Sequence, residues 1–229
     1  MHIFVLVTRR EAYYKDGGGI RQKLRLEQAS GDRVLIVPHE EFSLKVVEEL
    51  RPRSVIMSGF GQSFQDWPVE SFSGMDEVLH RAELPVLAIC GSHQLLGFSF
   101  NRNLRKVKRL WDQPMRKLTK YEPYPRDLYR PGYFVARGFF PIRQVKRDPL
   151  FDGLPKTMIL CCSHYCEVKR LPRDFELLAS SEHCRIEAMK HVTRPLYGIQ
   201  FHAEAYEEPY LHGRRVLENF FTIVKDFWS

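Results

Sequence analysis

The sequence predicts an α/β protein with a mostly parallel central sheet and helices on both faces. The main observation is an alternation: over the first hundred residues, short apolar strand-like runs take turns with stretches of helical period. A second is size, since 229 residues that are 44% apolar can bury one substantial core. The same composition excludes a disordered chain, a collagen and a disulfide scaffold.

Taken in order, Ile3–Val7 reads as a buried strand, and a polar loop with Gly17-Gly18-Gly19 follows. These glycines lack the lysine and the strand spacing of a phosphate cradle, so they read as a connection only. A helical stretch from about Ile20 to Ala29 leads to a strand, Val34–Val37, closed by Pro38. Leu44, Val46, Val47 and Leu50 fit a helix, and Ser54–Met57 forms a third strand ending at Ser58-Gly59. A loop rich in Ser, Gln and Gly precedes a helix around Met75–Arg81. Pro85–Ile89 is the fourth strand, followed at once by helical Ser92–Leu96.

The pattern breaks after Gly97. Residues 101–137 carry Pro114, Pro123, Pro125 and Pro131, with aromatics among basic side chains. They read as an irregular insertion with one short helix at Leu104–Trp111. From Phe139 the chain turns strand-rich, with runs at Thr157–Cys161, Glu176–Ala179, Glu187–Met189 and Leu196–Phe201. A last helix covers about Leu211–Phe227, with Val216, Leu217, Phe220, Phe221 and Val224 on its apolar face. No internal repeat is visible. One domain over residues 1–229, interrupted by the insertion, is the expectation.

The net charge of +7 invites a nucleic-acid reading, but its distribution argues against one. Residues 101–147 hold 14 Lys/Arg and 3 Asp/Glu, a net of +11, and the remainder is −4. The basic character belongs to one segment. The five cysteines are odd in number and irregularly spaced, as expected of reduced thiols in a cytoplasmic protein. No stretch approaches the ~18 apolar residues of a membrane span.

Cys90 stands where a buried strand, Pro85-Val-Leu-Ala-Ile-Cys90, turns directly into a helix. A side chain at such an elbow projects above the C-terminal edge of the sheet, where open α/β sheets bind ligands. The helix N-terminus favours a thiolate and offers N–H groups to a developing oxyanion. Gln94 lies one helical turn on and can face the same pocket. Far downstream, an apolar strand ends in His202-Ala-Glu204, which puts a general base and an orienting carboxylate on one side. A buried cysteine alone is usually a small core hydrophobe; both halves at strand ends, in this order, are far more specific. Cys161, Cys162, His164 and Cys166 lack a Cys-x-x-Cys pair and alternate across a strand, so they read as structural, with no metal expected. His93, inside the helix, reads as a packing residue.

Beyond the Cys–His–Glu set, the chain resembles the class I glutamine amidotransferases over residues 1–100 and about 137–229. Ile56-Met-Ser-Gly59 resembles the family's oxyanion-loop strand, and Cys90-Gly-Ser-His-Gln94-Leu-Leu its nucleophile elbow. Asp148-Pro-Leu-Phe-Asp-Gly-Leu-Pro155, Ser163-His164-Tyr165 through Leu171-Pro172, Phe175–Ser181 and Tyr197–Glu204 resemble its remaining segments. The chain departs from the family pattern at Ser92, where glycine is usual, and at Ser58-Gly59-Phe60-Gly61, where Ser-Gly-Gly-Pro is usual.

The resemblance implies a flavodoxin-like fold. It also implies Cys90 as nucleophile, His202 as acid/base and Glu204 as its partner. The Gly91 N–H and one from the Gly59, Phe60 and Gly61 loop would form the oxyanion hole. Gln94, with Ser163, His164 and Tyr165, would hold the substrate. The implied activity is release of ammonia from the glutamine side chain through a γ-glutamyl thioester, without cofactor, for a separate synthase. Hydrolysis of other γ-glutamyl amides, or a non-catalytic regulatory role, are the alternatives. The basic insertion follows the nucleophile helix, so a lid or a docking surface for an acidic partner is expected there.

Overall fold

Nine strands form a single sheet in the computed structural model, which describes residues 1–16, 18–122 and 131–229. They are β1 (His2–Leu6), β2 (Val34–Pro38), β3 (Val55–Met57), β4 (Val86–Ile89), β5 (Ala136–Gln144), β6 (Thr157–His164), β7 (Phe175–Ser180), β8 (Ala188–His191) and β9 (Leu196–Ile199). Their order is β2-β1-β3-β4-β9-β8-β7-β5-β6. The half from β2 to β9 is parallel, and β8, β7, β5 and β6 extend it antiparallel. The division follows the connections. Helices join β1 to β4, and such crossovers permit parallel pairing; from β5 to β9 no α-helix intervenes, and directly linked strands pair antiparallel.

Six helices complete the fold: α1 (Arg10–Asp16), α2 (Ile20–Ser30), α3 (Leu44–Leu50), α4 (Ser73–Arg81), α5 (Gly91–Asn101) and α6 (His212–Phe227). Strand residues alternate between two cores. Phe4, Ile56, Leu87, Ile89, Tyr197 and Ile199 pack with Leu26 of α2 and with Val216, Leu217, Phe220 and Phe221 of α6. Ile3, Val5, Val55, Met57, Val86 and Ala88 pack with Val47, Met75, Val78, Leu79, Leu95 and Leu96 of α3, α4 and α5. The parallel strands are therefore apolar on both faces, which is why they read as continuous hydrophobic runs. Among the described residues, no helix is long and apolar enough to cross a membrane.

Three expectations need correction. The polar stretch before the glycines is not all loop: it forms α1, and Tyr13 from this helix packs against the first core. The expected helix at Leu104–Trp111 is only a 3-10 turn, Leu104–Lys106, after which Val107 is extended. Four cations at 105, 106, 108 and 109 would crowd one helical turn, and like charges at that spacing destabilise it. The strand-rich region begins at Ala136 rather than Phe139. Gly17, Pro123 and Pro125 lie outside the described residues.

Close packing is most demanding where α4 crosses the segment leading into α3. A Cβ on Gly74 would stand 1.8 Å from the Phe42 carbonyl oxygen, so the backbones touch because that residue is glycine. Gly74→Ala should therefore destabilise the chain by about 2–3 kcal/mol, read from the urea midpoint. An unchanged midpoint would show that α4 can move away at no cost.

Candidate active site

Cys90 joins β4 to α5 with φ of 50° and ψ of −106°. A non-glycine residue in such a region costs about 1–3 kcal/mol, so the surroundings must enforce it. They do: the Cys90 N–H donates to the Ile199 carbonyl at 2.7 Å, and the Gln94 N–H donates to the Cys90 carbonyl at 3.0 Å. The elbow is clamped between β9 and the first turn of α5, and its side chain is thrown out at the C-terminal edge of the sheet.

His202 follows β9 and is fixed by its own backbone N–H, which donates to the Cys161 carbonyl at 2.8 Å. Its Nδ1–H donates to Glu204 Oε1 at 2.7 Å, which leaves Nε2 on the side of Cys90. Arg25 of α2 donates to the Glu204 carbonyl and stacks 4.3 Å over the Tyr206 ring, so the turn after β9 is anchored to a helix. Gly59, beyond β3, closes the third side. A Cβ there would lie 2.8 Å from His202 Cε1 and 3.0 Å from Cys90 Cβ. The structure thus brings Cys90, His202, Glu204 and Gly59 to one point.

Burial opposes a positive charge on His202, but the Glu204 carboxylate and the Cys90 sulfur outweigh it and raise its pKa well above the usual 6.5. Cys161, on the same side, is pushed up by burial. A cavity of about 270 Å³ opens there, lined by Arg21, Arg25, Phe139, Cys161, His202 and Glu204. A second, of about 170 Å³, is lined by Gln94, Gln113, Glu167 and Arg102.

The two departures in the elbow and loop have local explanations. Ser92 is fully buried, and its hydroxyl donates to the Ser58 carbonyl at 2.6 Å, tying α5 to the loop after β3. The Phe60 ring lies 5.0 Å from Phe64, stacks on Phe72 at 5.9 Å, and faces Gly91. Phe60 is part of the second core's aromatic cluster.

Of the expected substrate residues, Gln94 is 8% exposed, and its amide donates to the Cys166 carbonyl at 3.0 Å and to Gln200 Oε1 at 3.3 Å. Ser163 is exposed, and its carbonyl accepts from the Cys90 thiol at 3.9 Å. Tyr165 is half-buried. His164 turns inward, with Nδ1 donating to the Cys166 carbonyl at 3.0 Å. Its Nε2, Cys162 Sγ and a Glu187 carboxylate oxygen lie within 4.8 Å of one another, the set best placed to hold an ion. Burial lowers His164 to about 4 and raises Glu187 to about 7, so this trio carries little charge near neutrality and needs no counter-ion. His93 is buried against the Ile186 carbonyl, as a packing residue should be.

Sequence reasoning missed two features. Gln200, the polar residue inside Tyr197-Gly-Ile-Gln-Phe201, donates its amide to Cys90 Sγ at 3.6 Å and is fully buried. A polar residue at the end of an apolar strand was the available signal. The other is the course of the basic insertion. Leu104, Leu110 and Met115 anchor it in the interior. Asp112 accepts from the Phe64 N–H at 2.7 Å and donates its own N–H to Gln65 at 3.1 Å. Met115 N–H then reaches the Tyr165 carbonyl at 2.9 Å, and Glu167 N–H the Gln113 carbonyl at 3.0 Å. The segment is a strap from the loop after Gly61 to the loop after His164. Arg102, Arg105, Lys106, Lys108 and Arg109 stand exposed along it.

The model of the glutamine amidotransferase class-I family matches residues 26–224. The glutamine-hydrolysing subunit of the GMP synthase of Pyrococcus abyssi is 32% identical over 211 residues, covering 90% of this chain and 94% of that protein. The corresponding subunit from Archaeoglobus fulgidus is 30% identical over 179 residues, covering 78% and 80%. A crystal structure from Thermoplasma acidophilum, of a candidate GMP synthase subunit, superposes with a TM-score of 0.73 at 21% identity, covering 100% of this chain and 96% of that one. This last likeness speaks to the fold.

The raised pKa of His202 carries a pH dependence. A raised folded-state value stabilises the protein fully below about pH 6.5, and the contribution fades as pH climbs through that value. Glu204→Gln removes the main favourable partner. Its loss of thermal midpoint should be larger at pH 6 than at pH 9, and the imidazole NMR transition of His202 should move toward the ordinary range. An equal loss at both pH values would mean that the pair is not charged.

Proposed function

The chain belongs to the class I glutamine amidotransferases, and from that membership we propose how its own residues release ammonia from glutamine. The supporting observation is the strained Cys90 elbow beside a His202 whose Nδ1 is held 2.7 Å from Glu204. Cys90, as thiolate, attacks the γ-carbonyl carbon of glutamine. The oxyanion that forms is received by the Gly91 N–H at the start of α5 and by an N–H of the Gly59, Phe60 and Gly61 loop. His202, protonated, gives its proton to the leaving nitrogen, and ammonia departs from a γ-glutamyl thioester. Water, deprotonated by the now neutral His202, cleaves the thioester and returns the thiolate. Glu204 keeps Nδ1 protonated through both halves and stabilises the imidazolium. Gln94 and the Ser163–Tyr165 loop hold the amino-acid end of the substrate.

The ammonia is passed to a separate synthase, and the relatives named as glutamine-hydrolysing subunits of GMP synthase indicate the kind of partner. The exposed cations of the strap dock an acidic face of that partner, since they lie across the two loops that border the site. All five cysteines are free, and a thiol nucleophile suits the reducing cytoplasm.

Cys90→Ala should lower ammonia release from glutamine by at least about 10³-fold while leaving the thermal midpoint within a few degrees. Undiminished release would remove Cys90 from the reaction. Turnover of γ-glutamyl dipeptides in preference to glutamine would replace this substrate assignment. A second expectation concerns the strap. Replacing Arg102, Arg105, Lys106, Lys108 and Arg109 together with serine should weaken binding to the partner synthase about tenfold, more so at low salt, with little change in basal glutaminase rate. Unaltered binding together with a lower melting point would make these side chains structural.

A further inference from the structure

Gln200 occupies the interior immediately behind the reacting sulfur. It follows β9, its backbone N–H donates to the Glu187 carbonyl at 2.7 Å, and no part of it is exposed. Its amide nitrogen lies 3.6 Å from Cys90 Sγ.

The orientation of this amide follows from a chain of donors and acceptors. The Cys166 carbonyl can only accept, so the Gln94 group 3.0 Å from it must be the NH2 end. The second hydrogen of that NH2 then points at Gln200, 3.3 Å away, which must present its oxygen there. With its oxygen committed to Gln94, Gln200 has only its NH2 to offer the sulfur. The Ser163 carbonyl, on another side of the thiol, also only accepts and takes the S–H at 3.9 Å. Ionisation of the thiol would lose that donation to Ser163, whereas the bond from Gln200 would grow stronger, because a donor facing a charged acceptor is roughly twice as effective.

We propose that Gln200 is a further catalytic residue, which stabilises the Cys90 thiolate by a buried N–H···S hydrogen bond whose direction is set by Gln94. The inference rests on the glutaminase reading of this site. The bond favours the thiolate before attack, weakens when the sulfur becomes a neutral thioester, and regains strength as the sulfur leaves in the second half of the reaction. Gln200 therefore acts in the two steps where negative charge sits on sulfur. It also couples the nucleophile to the substrate pocket, since any displacement of Gln94 removes the donor partner that holds the Gln200 amide in place.

The test is Gln200→Leu, which keeps most of the volume and removes the donor. Cys90 alkylation by iodoacetamide is followed against pH, with the labelled peptide identified by mass spectrometry. The pH of half-maximal rate should rise by about one unit. With glutamine as substrate, kcat should fall tenfold or more while KM stays within about threefold. An unmoved alkylation profile overturns the proposal. So does a rise in KM alone, which would make Gln200 a support for Gln94 only. If the leucine variant fails to fold, Gln200→Glu serves: it keeps the oxygen for Gln94 and sets a carboxylate against the sulfur, so the profile should shift further upward, and no shift again overturns the proposal. A wild-type chain that releases no ammonia would fail the glutaminase reading, and the alkylation profiles would still decide whether Gln200 acts on the sulfur.

Discussion

Ile89 of β4 lies opposite Ile199 of β9, and one residue further the Cys90 N–H closes on the Ile199 carbonyl. This parallel ladder decides where every group of the site stands. On one strand it sets the residue at which the chain must turn into α5. On the other it sets the phase of Gln200 and His202, which emerge beside that turn although they are more than a hundred positions away in the chain. A slip of one residue would exchange the faces of Tyr197 and Leu196, which belong to different cores, so register and packing enforce one another. The strain at Cys90 is held by that agreement, because relaxing φ would break the Ile199 bond or lift α5 from its core.

The polar groups near the sulfur are arranged in order of charge. The Cys90–His202–Glu204 side carries ionised groups, and Arg25 from α2 lies close behind Glu204. The interior side, with Cys162, His164 and Glu187, is shielded from water and stays nearly neutral, because each of these groups is pushed by burial toward its uncharged form. Gln200 and Gln94 stand between the two. Neutral amides at this boundary can direct a dipole at the sulfur without adding a buried charge, which in this setting would cost several kcal/mol.

Much of this was legible in the sequence for a physical reason. Strands buried on both faces leave an unbroken apolar run, so β1, β3, β4 and β9 could be placed within a residue or two. Cys90, His202 and Glu204 stand at the ends of such runs, and position alone pointed to them. β5 was hidden because Gly138 and Pro141 interrupt it. The sheet tolerates them because β5 meets β7 only at Arg143 and Gln144, leaving the rest of that edge unpaired. The strap was equally silent. Its course is fixed by backbone bonds from Met115 and Glu167 and by one carboxylate, Asp112, and such contacts leave no periodic trace. Gln200 was visible as a polar residue in an apolar run, but its direction depends on the Cys166 carbonyl, which only the fold places there.

Ser92 and Phe60 look like independent departures from the family pattern, yet the structure joins them. Both act on the same short loop after β3. A loop reading Gly-Pro after its first glycine would be stiffened by the fixed φ of proline; this loop has Phe60-Gly61 instead and must be held from outside. Phe60 holds it from one side by inserting its ring among Phe64 and Phe72, over Gly91. Ser92 holds it from the other by donating to the Ser58 carbonyl, while the Ser58 hydroxyl accepts from the Val7 N–H at 2.9 Å. Glycine at position 92 would leave that carbonyl unsatisfied in a buried setting, at a cost of about 1–3 kcal/mol. The serine is therefore the complement of the phenylalanine. Together they fix, by packing and one hydrogen bond, a loop whose N–H groups must already point at the oxyanion before it forms.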